Sequence, residues 1–138
     1  MTPKAACILI VEDDADLGFL LQEVLKREGH RVDIVETGAA ALARLQRGTY
    51  DLILLDLRLP DGDGLERLPH YQELAPDVPI ILMTGFGWDP SHSIVKARQE
   101  GLQTVLYKPF RVDRLMEAVE QALRPPSPPE ADGVLRGE

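Results

Sequence analysis

Five short apolar runs at regular intervals constrain the fold of this chain more than any other feature of its sequence. They begin 20 to 28 residues apart, which leaves room for one helix and two short loops in each interval. This rhythm is typical of β-α-β units and predicts a single α/β domain with a five-stranded parallel sheet. The predicted strands are Cys7–Val11, Val32–Val35, Leu52–Leu55, Ile80–Met83 and Val105–Tyr107. Because the second run alternates apolar and polar residues, we expect it at an edge of the sheet.

Helical periodicity fills the intervals between these runs. Asp14 is the predicted N-cap of the first helix and Gly29 its stop, while Thr37 or Gly38 opens the second, which closes at Gly48. The remaining predicted helices are Gly64–Ala75, Ser91–Glu100 and Val112–Leu123. An interior proline removes a backbone donor, so Pro69 predicts either a kink or a late start in the third helix.

Apolar stripes define the helix faces that should cover the sheet. The predicted inward residues are Leu17, Leu20, Leu21, Val24, Leu25, Ala41, Leu42, Leu45, Leu65, Leu68, Leu74, Leu115, Met116, Val119 and Leu123. Phe19 lies nearly opposite the stripe of the first helix, so we expect its ring to be exposed.

Composition narrows the functional classes. The formal net charge is −8, which disfavours contact with a nucleic-acid backbone, and we expect no such partner. The longest apolar run has seven residues, 5–11, too few for a membrane span or a secretory leader, and we expect no membrane partner. The single cysteine, Cys7, favours a reducing, cytoplasmic location. The proline-rich residues 125–138 predict a disordered tail and no second domain.

Polar side chains follow the predicted strands at the point where each strand ends. Glu12 and Asp13 follow the first run, Asp56 the third, Thr84 the fourth and Lys108 the fifth. Because the carboxyl ends of parallel strands meet at one edge of a sheet, these groups should share one pocket.

The chemistry of this set favours a cation and a phosphoryl group. Crowded carboxylates repel one another, and a hard divalent ion such as Mg²⁺ relieves that repulsion through oxygen ligands. One carboxylate is then free to act as a nucleophile toward phosphorus, while Thr84 and Lys108 can hold the oxygens of the transferred group. Each signal has an ordinary structural explanation by itself, since single Asp, Thr and Lys-Pro residues commonly serve caps and turns.

The joint pattern resembles the receiver domain of response regulators in two-component signalling. Four stretches carry the resemblance, and it covers about residues 5–124. They are Ile8-Leu9-Ile10-Val11-Glu12-Asp13-Asp14, Leu54-Leu55-Asp56-Leu57-Arg58-Leu59-Pro60 with Gly64, Leu82-Met83-Thr84-Gly85, and Tyr107-Lys108-Pro109-Phe110. The resemblance implies a flavodoxin-like, doubly wound α/β fold with strand order 2-1-3-4-5 and five flanking helices.

The resemblance also implies roles for individual residues. Asp56 would be the phosphoacceptor. Mg²⁺, or Mn²⁺ in its place, would be held by Asp13, by Asp56, by the backbone carbonyl of Arg58 and, through water, by Glu12. Lys108 would pair with the phosphoryl group, and the Lys108-Pro109 bond would be cis.

The resemblance further implies residues that take part in the conformational change on phosphorylation and in contacts with partner proteins. Gly85 and Pro109 would support the site, whereas Val105 stands where the family often has an aromatic switch residue. Phe19 would be a docking contact for the phosphodonor, a histidine kinase or a histidine phosphotransfer protein. The domain would be a monomer or a weak dimer.

Three functions stay open at this point. The leading one is a phosphoacceptor that signals by protein contacts and is no enzyme beyond its own phosphorylation and dephosphorylation, either alone or as the receiver portion of a hybrid histidine kinase. The second is a stand-alone metal-dependent phosphatase, which the expected shallow pocket disfavours. The third is an interaction module that is never phosphorylated, which the complete acid pocket disfavours.

Overall fold

A computed structural model describes residues 5–85 and 104–124 of the 138-residue chain. Its main sheet has five strands that pair in parallel in the order β2-β1-β3-β6-β7. The strands of this sheet are β1 (Cys7–Val11), β2 (Arg31–Val35), β3 (Leu52–Asp56), β6 (Ile80–Thr84) and β7 (Thr104–Tyr107). The predicted order 2-1-3-4-5 and the edge position of the second strand are therefore confirmed. The order skips two labels because β4 (Arg58–Leu59) and β5 (Gly62–Asp63) form a small antiparallel hairpin that the sequence did not predict.

Helices cover both faces of the sheet, as expected for a doubly wound fold. Those in the described ranges are α1 (Ala15–Arg27), α2 (Gly38–Arg47), α3 (Gly64–Leu74) and α4 (Val112–Leu123). The predicted helix at Ser91–Glu100 and the tail at 125–138 lie outside the described residues. No helix within the described ranges is long and apolar enough to span a membrane.

Two separate layers of apolar side chains fix the helices to the sheet. Alternate residues of a strand point to opposite faces, so β1 sends Leu9 and Val11 to one layer and Ile8 and Ile10 to the other. The first layer includes Ala41 and Leu45 of α2 with Leu68 and Tyr71 of α3. The second includes Leu21 and Leu25 of α1 with Leu115 and Val119 of α4. The strands buried on both faces therefore consist almost entirely of apolar residues.

The helix ends follow the predicted capping chemistry. Asp14 caps α1 by accepting hydrogen bonds from the backbone of Asp16 and Leu17 at 3.0 and 3.2 Å. Thr37 caps α2 by accepting from the backbone of Ala40 at 3.1 Å. Gly29 follows α1 with a φ of 94°, a left-handed conformation that favours glycine.

Two of the predicted inward residues are exposed. Leu20 is 49% exposed because the buried face of α1 is centred on Gly18, Leu21 and Leu25, roughly 130° away around a helix that turns about 100° per residue. Leu74 is 39% exposed because it is the last residue of α3, where the chain leaves the sheet.

The third helix also differs from one of its two predicted forms. It begins at Gly64 and contains Pro69, so the predicted late start is wrong, while the kink stays a prediction. Proline keeps a helical φ and forfeits only its own backbone donor. The buried side chains of Leu68 and Tyr71 anchor the helix on either side of it.

Candidate functional site

The strand register brings four predicted site residues to one edge of the sheet. Glu12 directly follows β1, Asp56 ends β3, Thr84 ends β6 and Lys108 directly follows β7. Val11 pairs with Leu55, so Glu12 and Asp56 emerge side by side. The side chains of Glu12, Asp56 and Thr84 are buried, although all three are polar.

Three carboxylates form the centre of this site. Glu12, Asp13 and Asp56 each offer one oxygen, and these oxygens all lie within 4.8 Å of one another. Glu12 and Asp56 are buried, while Asp13 is exposed at the rim. A set made only of oxygen donors, with one open side, fits a hard divalent cation such as Mg²⁺ that keeps several of its waters.

Lys108 connects two of the acids. Its Nζ donates to Oε1 of Glu12 at 2.7 Å and to Oδ2 of Asp56 at 3.1 Å. The second oxygen of Asp56 accepts a hydrogen bond from the backbone N–H of Arg58 at 3.1 Å. The backbone N–H of Lys108 also donates a hydrogen bond to the backbone oxygen of Thr84. The Lys108-Pro109 peptide is cis, as expected. The lysine is therefore aimed back into the site from the strand that carries it.

The electrostatics of Glu12 show how crowded the acids are. Burial raises the pKa of Glu12 to about 7, the hydrogen bond from Lys108 opposes that shift, and Asp56 adds to it. Burial by itself would lower the pKa of Lys108, but the hydrogen bond that its ammonium donates to Glu12 and the charge of Asp56 raise that pKa above its usual value. The single ammonium thus compensates only part of the negative charge that the acids carry when ionised.

Thr84 places a hydroxyl in the site without a local partner. Its Oγ1 is buried, and no atom of the described residues forms a hydrogen bond with it. Buried hydroxyls are normally paired, because leaving one unpaired costs about 1–3 kcal/mol. An oxygen of a bound anion would supply the missing acceptor.

The other predicted residues lie around this centre. Gly85 follows Thr84, and a Cβ placed on it would lie 3.9 Å from Cδ of Lys108. Arg58 begins the small hairpin after Asp56. Val105 is half-buried in β7, where it pairs with Leu82, and Pro109 is exposed. Phe19 is 62% exposed on α1, as its position on the helical wheel predicts.

An apolar groove beside the acids was missed at the sequence level. It has a volume of about 440 Å³ and runs between α1 and α4. Through Asp14, Gly85 and Lys108 it reaches the acid site, the name used below for the three carboxylates and the Lys108 ammonium. Leu20, assigned to the core from its periodicity, lines this groove together with Phe110 and Val112. Phe110 and Val112 flank Arg111 at a helix start, where a polar cap is usual. This apolar pair is the sequence signal that could have revealed the groove.

Comparison with known proteins agrees with this geometry. The model of the response regulator receiver domain family matches residues 8–120. The transcriptional regulatory protein GlrR of Escherichia coli is 37% identical over 128 residues, which are 93% of this chain and 28% of GlrR. The luminescence regulatory protein LuxO of Vibrio campbellii is 42% identical over 115 residues, 83% of this chain and 25% of LuxO. The chain therefore spans about a quarter of the length of these relatives.

Solved structures show the same fold. A CheY-like response regulator receiver domain protein from Methanospirillum hungatei superimposes with a TM-score of 0.81 at 29% identity, covering 87% of this chain and 94% of that one. The beryllofluoride-activated NtrC4 receiver domain, solved as a dimer, gives a TM-score of 0.78 at 31% identity over 85% of this chain and 95% of that one. Since the family model spans most of the chain and the solved receiver fold covers 87% of it, this chain belongs to the response regulator receiver domain family of two-component signalling.

Proposed function

We propose that this domain accepts a phosphoryl group on Asp56 from a phosphohistidine donor and thereby changes its affinity for a protein partner. The observation that carries the proposal is the surroundings of Asp56. Its buried carboxylate lies beside those of Glu12 and Asp13, 3.1 Å from the Lys108 ammonium. The hydroxyl of Thr84, which has no hydrogen-bond partner among the described residues, lies on the neighbouring strand. A nucleophile, two groups for anionic oxygens and a cation site are thus combined in one place.

The acids and one backbone oxygen would hold Mg²⁺, with Mn²⁺ as an alternative. Asp13 and Asp56 would be ligands, Glu12 would act through water, and the carbonyl of Arg58 would complete the protein's contribution. When bound, the ion supplies positive charge to the carboxylates and to the oxygens of the incoming phosphoryl group.

The transfer step follows from the residues present. A carboxylate oxygen of Asp56 attacks phosphorus, a P–O bond forms, and the P–N bond to the donor imidazole breaks, with its electron pair returning to the ring nitrogen. The product is an acyl phosphate on Asp56. Lys108 and Thr84 bind the oxygens of the transferred group, so their contacts change when the group arrives.

The donor would dock beside the acid site. The groove between α1 and α4 opens next to Lys108. Phe19 and Leu20 expose apolar surface on α1. Exposed apolar area of this kind marks contact with another protein. We propose that a helix of a histidine kinase or of a histidine phosphotransfer protein lies there, with Phe19 as one contact.

The relatives favour one setting for the domain. Residues 5–124 would form the receiver unit, and the relatives named as transcriptional regulatory proteins are about four times as long as the stretch they share with it. We therefore favour a receiver that controls a transcriptional regulator over the receiver portion of a hybrid kinase. With Val105 in place of an aromatic switch residue, the response would pass through Thr84 and Gly85.

Incubation with acetyl phosphate and Mg²⁺, followed by intact-protein mass spectrometry, tests the proposal. We expect the wild type to gain one phosphoryl group, and neither Asp56→Asn nor a chelator-treated sample to do so. Asp33→Asn is the matched control, because this acid lies in β2 and bonds to Tyr50, outside the acid site. An unmodified wild type would overturn the proposal, and steady hydrolysis of added phosphomonoesters would point to a phosphatase.

A further inference from the structure

The chain leaves Asp56 through a very small hairpin whose tip is anchored elsewhere. Only two residue pairs form it, Arg58 with Asp63 and Leu59 with Gly62. Hairpins this short are not stable by themselves in water, so contacts outside the hairpin must hold it in place. Leu59 contributes by burying its side chain in the first apolar layer, and Asp61, at the tip, contributes the polar contacts.

Asp61 bonds to the first turn of a different element. Its Oδ1 accepts a hydrogen bond from the backbone N–H of Gly38 at 2.9 Å, and its Oδ2 accepts from Ala39 at 3.0 Å. These N–H groups belong to the start of α2, where helices lack internal acceptors and favour negative charge. The bond from Gly38 is the main cause of the lowered pKa of Asp61, which is therefore ionised at neutral pH.

Arg67 of α3 holds the same residue from the other side. Its Nη2 donates to the backbone oxygen of Asp61 at 3.0 Å and lies 3.2 Å from Oδ2. Gly38 leaves the room for this arrangement, because a Cβ there would stand 2.7 Å from Cδ of Arg67. The hairpin tip is thus fixed between the start of α2 and the side of α3.

The contacts of Asp61 with Gly38, Ala39 and Arg67 form a clamp. Both ends of this clamp lead to the acid site. The hairpin begins two residues after Asp56, whose Oδ1 accepts from the Arg58 N–H. On the other side, Val35 at the end of β2 accepts a hydrogen bond from the backbone of Glu12 at 2.9 Å, three residues before α2 begins. Asp61 therefore connects the loop after the phosphoacceptor to the segment that supports Glu12.

We propose that Asp61 is a positioning residue for the acid site, holding the Arg58–Asp63 hairpin on α2 so that the backbone of Arg58 stays in place to bind the metal ion. This inference rests on the proposed function, because it concerns the predicted contribution of the Arg58 carbonyl. It adds a residue outside the site, on which metal binding and phosphorylation depend through backbone geometry.

The test compares two caps of the same helix. Asp61→Ala removes the clamp, whereas Thr37→Ala removes only the hydrogen bond to Ala40 at the same helix start and leaves the hairpin untouched. Calorimetric titration with Mg²⁺ should show the dissociation constant rising about 10-fold in Asp61→Ala, the lower end of the range for supporting residues of metal sites. It should change less than twofold in Thr37→Ala.

A conservative variant and a structural readout complete the design. Asp61→Asn keeps one acceptor for Gly38, so it should recover part of the lost affinity, and it replaces the alanine variant if that variant fails to fold. Amide exchange measured without metal should accelerate at Gly38, Ala39 and the hairpin in Asp61→Ala only.

Each result is decisive. Equal Mg²⁺ affinity in wild type and both Asp61 variants overturns the positioning role, and so does an equal loss in Thr37→Ala. A wild type that binds no Mg²⁺ contradicts the proposed function, and the effect of Asp61 on metal binding fails with it. Amide exchange then still shows whether Asp61 anchors the hairpin.

Discussion

At the scale of single residues, charge balance governs the candidate site. Glu12 and Asp56 are buried next to each other, Asp13 lies at the rim, and the ammonium of Lys108 bonds to both buried acids. Burying a charge without full compensation costs several kcal/mol, so a site of this kind is destabilising for the metal-free fold. The proposed binding of a metal ion and a phosphoryl group would account for this arrangement of buried acids.

Mg²⁺ should stabilise the fold, and Asp13→Asn should weaken that effect. At a free Mg²⁺ concentration 100 times its dissociation constant, the free energy of unfolding should rise by about 2.7 kcal/mol in the wild type. Thermal melts with and without Mg²⁺ measure it. Asp16→Asn is the control of equal charge, since Asp16 lies in the first turn of α1 outside the acid cluster. An equal shift in wild type and Asp13→Asn would show that Asp13 is not a ligand.

At the scale of elements, the start of α2 lies close to the side chains of α3. A Cβ on Gly38 would lie 2.7 Å from Cδ of Arg67 and 3.0 Å from the hydroxyl of Tyr71. At the other end of the helix, Gly48 has open space around it and an extended backbone. The two glycines therefore offer a matched comparison.

Gly38→Ala should destabilise the protein, whereas Gly48→Ala should not. Forcing Arg67 aside also disrupts its contacts with Asp61, and overpacking of this kind costs about 1–3 kcal/mol. Gly48→Ala should be neutral or stabilising by about 0.4–1 kcal/mol, because it restricts only the unfolded chain. Urea unfolding of both variants measures the difference. Equal free energies of unfolding would mean that α2 and α3 are less closely packed than the structure indicates.

The Asp61 clamp should also make stability depend on pH. The folded-state pKa of Asp61 is lowered from its usual 3.8, so its contribution is fully present above that value and is lost as the pH falls through the folded-state pKa. Asp61→Ala should therefore be less stable than the wild type by about 1 kcal/mol at pH 7, the usual value of a helix cap. The difference should shrink below about pH 4.

Denaturant unfolding at several pH values measures this dependence. Thr37→Ala is the control again, because a hydroxyl does not titrate in this range and its deficit should be the same at each pH. If the deficit of Asp61→Ala also stayed constant between pH 7 and pH 3, the carboxylate would not be the group that binds the helix.

The exposure of Leu20, which the sequence did not predict, has its origin at the scale of the element. Helical periodicity locates an apolar stripe but cannot show which part of the stripe the sheet covers. In α1, buried Gly18 packs its backbone near Ile34 and shifts the contact face away from Leu20. A glycine adds nothing to an apolar stripe, so the sequence could not indicate this shift.

At the scale of the whole molecule, the meeting of the strand ends could be predicted from a simple rule, whereas the full strand order followed from the family resemblance. A parallel sheet brings its carboxyl ends to one edge, and the polar residues Glu12, Asp56, Thr84 and Lys108 follow four apolar runs. The groove and the Asp61 clamp could not be predicted, because they depend on how separate elements are placed against one another. Asp61 and Gly38 are 23 residues apart, and nothing local in the sequence relates them.

The proposed function requires that Asp56 alone among the acids of the site accept the phosphoryl group. The most direct test is to phosphorylate the protein with acetyl phosphate and Mg²⁺, reduce the acyl phosphate with borohydride, and locate the product by peptide mass spectrometry. Reduction converts a phosphorylated aspartate to homoserine. We expect homoserine at position 56 and unchanged acids at Glu12 and Asp13. Reduction at either of those positions, or an unmodified Asp56, would show that Asp56 is not the phosphoacceptor.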